Sequence, residues 1–166
     1  MLINPQRFAF LDTVRTIRQA FASRAHVLVA LGIVAVIDWD GNVLKEGSNG
    51  YTCMPSPPTV GGPMCLENEW MRWAEAWQNK AGFTAEALGI SYMLAGDGNG
   101  GSSNIDPFAE GPTDDNKWVS EGAHLMILAP PALLESFPAD PDNGGPYAMW
   151  KGTPYAHLMV PIGARD

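Results

Sequence analysis

At 166 residues the chain has the length of one domain, and its net charge of −8 argues against a nucleic-acid surface. The 18 glycines and 14 prolines follow no short period, which excludes a collagen-like rod; they cluster between apolar runs, as in a loop-rich globular fold.

Charge is unevenly spread. Residues 1–26 carry Arg7, Arg15, Arg18 and Arg24 against Asp12 alone, a balance of +3 that leaves −11 on the remainder. A basic start before the apolar run Val27–Ile37 has the layout of an export leader. The run is too short to span a bilayer as a helix, and "DWDG" stands where a small-residue cleavage site belongs. It is therefore read as a buried strand dense in Val and Ile. Residues 1–26, with Phe8, Leu11, Val14, Ile17 and Phe21 at helical spacing, are read as a basic N-terminal arm or leader remnant, and residues 27–166 as a single globular domain.

In "AVIDWDGNVLKEG" a strand meets turn chemistry at Asp40, Gly41 and Asn42 and continues as a second strand. Cys53 and Cys65 follow, bracketing a Pro- and Gly-rich loop without the C-x-x-C pairs or nearby histidines of a metal site. A disulfide closing that loop is expected, and with it an oxidising compartment. In "CLENEWMRWAEAWQNKAG", Leu66, Trp70, Trp73, Ala74 and Trp77 recur at helical spacing. Glu67 and Glu69 open the segment, Lys80 ends it and Gly82 stops it, giving one principal helix over about 66–80 whose tryptophans face the core.

Leu88–Gly96 reads as a strand, Asp97–Asn116 as a long acidic loop, "KWVSEGAHLMILAP" as containing a strand, and "PALLESF" as a helical turn that Pro138 stops. "YAMWKGTPYAHLMVPIG" reads as two strands around "KGTP". The sum is an α+β fold: a mainly antiparallel sheet of about six strands with the principal helix packed on one face.

Several words in this order, "DWDGNVLKEGSNGYTCMP", "PMCLENEWMRWAEAW", "ISYMLAGD", "NIDPFAE", "WVSEGAHLMIL" and "MWKGTPYAHLMVP", resemble a family of short, mostly exported, uncharacterised bacterial proteins. The similarity covers roughly residues 36–163. It implies a periplasmic or secreted location and carries no catalytic residues. It does not extend over the first thirty residues, where the family normally has an ordinary signal peptide.

The tetrapeptide A-H-L-M occurs twice and holds two of the three histidines, His124 and His157. Strand alternation puts His124, Met126 and Leu128 on one face, and likewise His157, Met159 and Pro161. With Leu125 and Ile127 on the other face, both faces are apolar and the strands are expected to be central. Such histidines serve as structural groups bonded to backbone or carboxylate, or as a site.

Three functions follow. The first is an exported small hydrolase of esters or lactones, in which His157 or His124 activates water and Asp106 orients a histidine. No G-x-S-x-G elbow offers a nucleophile. Ca²⁺ is the candidate cofactor, on oxygen ligands Asp97, Asn99, Asp106, Asp114 and Asp115 of an acidic loop that meets no basic residue before Lys117. The alternative is a non-enzymatic extracytoplasmic binding module. The third is copper binding through the two H-x-M pairs, which form a His₂Met₂ set if their strands are neighbours. The partner is a small-molecule substrate or another protein. Neither nucleic acid nor a transmembrane segment is expected.

Overall fold

The computed structural model describes residues 33–57 and 59–165. The N-terminal arm and the first six residues of Val27–Ile37 lie outside the described residues. Within that run the strand is β1, Ala35–Ile37. The Asp38 carboxylate accepts from the amides of Asp40 (3.0 Å) and Asn42 (2.8 Å), and Gly41 adopts φ +80°. That side-chain-stabilised turn returns the chain as β2, Val43–Lys45.

Eight strands, in the order β2-β1-β3-β4-β5-β8-β10-β9, form one sheet; β6 (Ser102–Ser103) and β7 (Trp118–Val119) form a separate ribbon. All neighbours in the main sheet are antiparallel except β1 and β3. The α+β, mostly antiparallel reading is correct, but the expectation of six strands is not. Two of the extra strands, β3 (Thr52–Met54) and β4 (Met64–Leu66), are the flanks of the Cys loop. Three-residue strands are too short to show alternation, and the Pro/Gly loop between them masks the hairpin. Cys53 sits directly opposite Cys65, and the two are joined by the expected disulfide with Cα atoms 4.0 Å apart.

The principal helix, α1, spans Asn68–Gln78, two residues shorter at each end than expected. Leu66 is claimed by β4. Glu67 is the N-cap, its carboxylate accepting from the amides of Glu69 (2.8 Å) and Trp70 (3.0 Å), which satisfies two otherwise orphaned donors. The helix packs on the sheet at β4 and β5. Gly89, the first residue of β5 (Gly89–Met93), permits this approach: a Cβ there would lie 2.6 Å from Glu67 Oε1 and 3.2 Å from Trp70 Cδ1.

The central strands β8 (His124–Leu128) and β10 (His157–Pro161) are neighbours, flanked by β5 and by β9 (Tyr147–Met149). As alternation predicts, they have two apolar faces. The outer face carries Ile127, Leu158 and Val160, packed with Leu134 of the short helix α2 (Pro131–Leu134) and with Phe137. The disulfide lies on this side too, clustered with Tyr92 and Leu94. The inner face turns towards α1. Among the described residues no helix is long and apolar enough to cross a membrane.

Candidate functional site

Between α1 and the inner face lies a cavity of about 540 Å³. Trp70, Trp73 and Trp77 wall it from the helix, Trp150 from the end of β9, and Trp39 from the β1–β2 turn. Seven of the chain's eight methionines line it: Met54, Met64, Met71, Met93, Met126, Met149 and Met159. His124 and His157 line it as well. A volume in the hundreds of Å³ with mostly apolar walls and a few convergent polar groups is the usual form of a small-molecule site.

The cavity floor follows from strand register. Met126 stands directly opposite Met159. Antiparallel pairing then places His124 opposite Pro161 and His157 two residues from Met159 on the other side. On the outer neighbours, Met93 of β5 pairs with His124, and Met149 of β9 pairs with His157. The result is a ladder with pseudo-twofold symmetry about the Met126–Met159 pair: Met93 beside His124 at one end, Met149 beside His157 at the other. All six side chains belong to buried residues. The two H-x-M strands are adjacent, as the copper reading required. Their histidines, however, lie at opposite ends of the ladder, four residues apart in register, or about 13 Å along the strand.

The two histidines are bonded alike. Nδ1 of His124 lies 2.8 Å from the Gly122 carbonyl, and Nδ1 of His157 lies 3.0 Å from that of Tyr155. A carbonyl only accepts, so each Nδ1 carries the proton and donates it. Burial depresses the pKa of His124, and that of His157 to about 4, so both rings are neutral at pH 7. Each Nε2 therefore keeps its lone pair, and among the described residues neither has a hydrogen-bond partner.

Around His157 the cavity wall is aromatic. Its ring meets Trp70, Trp73 and Trp150 edge-on at centroid distances of 5.3, 5.7 and 5.1 Å. Trp73 stacks on Trp150 at 5.7 Å and on Trp77 at 6.3 Å, and Trp77 stacks on Phe108 at 6.2 Å. Trp150 holds this place with φ +54°, a left-handed conformation that is costly for a bulky residue. Its amide donates to Asn104 O and its Nε1 to Ser103 O (2.6 Å), so the strained backbone is fixed at both ends. The tryptophans of α1 thus face inward as expected, and they also line a void.

The acidic loop packs against this wall. Ser103 Oγ donates to Asn116 O and accepts from the Asp106 amide, and the loop presents Phe108 to Trp77. The proposed oxygen ligands are not gathered. Asn99, Asp106, Asp114 and Asp115 are exposed. Asp106 accepts from the Phe108 amide (2.9 Å), not from a histidine, and Asp115 accepts from the Thr113 hydroxyl (2.9 Å). Asp97 is buried, lines the cavity and accepts from the Glu121 amide (2.7 Å); burial pushes its pKa up to about 7. Among the described residues no three His, Cys, Asp or Glu side chains cluster as a metal site.

Behind Asp97 a charged network closes the sheet's end. Buried Glu121 accepts from Tyr147 Oη (2.8 Å) and Arg165 Nη2 (2.7 Å) through Oε1. Met93, Met149 and Trp150 were not singled out by sequence as site residues. The first two stand at inward positions of their strands, but only the non-local pairing brings them beside the histidines. No protein family, curated protein or solved structure matches this chain.

Proposed function

We propose that the chain is a non-enzymatic binding module of an extracytoplasmic compartment that takes up one small, largely apolar molecule between α1 and the sheet. The observation that carries this reading is the cavity of about 540 Å³, walled by tryptophan and methionine, with imidazole Nε2 acceptors at its floor. Stacked indoles suit a planar or aromatic ligand, and flexible thioethers adapt to its shape. The Cys53–Cys65 disulfide and the resemblance to mostly exported proteins support the compartment.

An ester or lactone hydrolase would use the same cavity, with His124 or His157 activating water. Burial weakens that reading, because it depresses both imidazoles and makes each a poor base at neutral pH. The test is a titration with small aromatic probes, read by intrinsic tryptophan fluorescence, alongside hydrolysis of short-chain esters and lactones. Saturable one-to-one binding that weakens about tenfold or more in Trp77→Ala is expected, as for loss of a stacking wall. Turnover by the parent chain, lost in a folded His124→Gln or His157→Gln variant, would overturn the non-enzymatic reading.

A further inference from the structure

The structure assigns a second kind of ligand to the cavity floor: we propose that the Met93–His124 / Met126–Met159 / His157–Met149 ladder binds a Cu(I) ion, held by one imidazole Nε2, by the methionine beside that histidine and by the central Met126–Met159 pair. The proposal does not rest on uptake of an apolar molecule; it rests on register and on donor chemistry. Six side chains from four adjacent strands fall on one buried face, and all are imidazole or thioether.

Each histidine reaches the floor with Nδ1–H already donated to the carbonyl two residues earlier. Metal-binding imidazoles are typically oriented by such a bond, which leaves Nε2 as the ligand. Each also has a methionine directly beside it on the neighbouring strand, and the central pair within one diagonal step. Soft thioethers with imidazole select Cu(I), while carboxylate and carbonyl oxygens suit Ca²⁺ or Mg²⁺. The disulfide is on the other side of the sheet, so its sulfurs compete for no metal here.

A simpler account is that methionine merely fills an irregular core. Two observations weigh against it. The same strands fill their outer face with Ile127, Leu158 and Val160, so branched residues are available to this sheet. And the four ladder methionines, while part of the main core cluster, also border the cavity, where sulfur is within reach of a ligand.

The experiment is an anaerobic titration of the whole chain with Cu(I), kept reduced by ascorbate, against a chromophoric Cu(I) chelator, with Ag(I) as a redox-inert check. X-ray absorption of the loaded parent should show mixed nitrogen and sulfur scatterers. Met126→Leu/Met159→Leu should weaken binding by about 100-fold or more, beyond the roughly 10–100-fold typical of an outer-shell change. Met64→Leu and Met71→Leu, in the same cavity but off the ladder, should leave it unchanged. No Cu(I) uptake by the parent, a shell of nitrogen and oxygen alone, or unchanged binding by the folded double variant would each overturn the site. The double variant keeps an apolar cavity, so it should still bind the aromatic probes. Loss of metal with probe retained separates this proposal from the functional reading above, and the reverse pattern in Trp77→Ala separates them from the other side.

Discussion

The two faces of β8 and β10 are built from the same ten residues and do opposite things. Outward, Ile127, Leu158 and Val160 meet Leu134 and Phe137 in an ordinary aliphatic cluster. Inward, His124, Met126, His157 and Met159 line a void together with Met93 and Met149. A face that served only stability would be close-packed, because unfilled volume forfeits dispersion contacts. The inner face keeps its void, and also holds Trp150 in a left-handed conformation. The inner methionines belong to the main core cluster and at the same time border the cavity, and polarisable and lone-pair-bearing groups are concentrated on that side.

The largest loss of stability is expected at Leu158. It is buried on the outer face, in the cluster closed by α2. Leu158→Ala removes packed methylenes and leaves a cavity, at a cost of about 2–5 kcal/mol. Urea denaturation should show this as a lower midpoint at unchanged slope. A loss under about 1 kcal/mol would mean that the outer face is loosely packed as well, and the contrast between faces would fail.

Asp97 tests the inner side by its charge. It lines the cavity, and burial raises its pKa to about 7 from an ordinary value of 3.8. Between those values the folded chain holds a proton that the unfolded chain has released. The stability this contributes is present below about pH 4 and is lost as pH rises through 7. Asp97→Asn keeps an oxygen for the Glu121 amide and removes the ionisation. Relative to the parent it should gain stability between pH 4 and pH 8, on the order of 1–3 kcal/mol. His157, whose pKa is depressed to about 4, acts in the opposite sense: its contribution is complete above 6.5 and is lost as pH falls towards 4. The difference between parent and variant isolates Asp97, and denaturation at pH 4, 6 and 8 measures it. A difference that does not change with pH would place the Asp97 carboxylate in contact with water.

Local pattern made some of this readable. Alternation along A-H-L-M placed both histidines and both methionines on their correct faces, and helical spacing found α1. The short Pro/Gly loop pointed to the Cys53–Cys65 bond. Other features depend on contacts distant in sequence. Met93 and Met149 join the ladder through pairings 31 and 8 residues away from their histidines. The acidic loop looked like a solvated ligand strand because its residues are polar one by one. Phe108 stacks on Trp77 and Ser103 ties the loop to itself, and neither contact is written in local composition. The β3–β4 hairpin was hidden because three-residue strands have no period to detect.

Substitutions at the two central methionines should cost far less. Met126→Leu and Met159→Leu change the chemistry of the floor while nearly conserving its volume, and such swaps cost less than about 1.5 kcal/mol. Two features hold the cost low here. Both residues border a cavity, so a branched δ-carbon has room to rotate without displacing a neighbour. And among the described residues neither thioether sulfur makes a hydrogen bond that leucine would leave unsatisfied. Leucine also loses less conformational freedom on burial than methionine, which works in the variant's favour. Thermal unfolding of the metal-free chains should therefore differ by only a few degrees between parent and double variant, against the much larger loss at Leu158. If the double variant is instead as damaged as Leu158→Ala, the inner methionines are tightly packed core, and their number on that face has a purely steric explanation. If it is nearly as stable as the parent, stability does not account for the placement of sulfur on the cavity floor, and ligand chemistry is the remaining constraint.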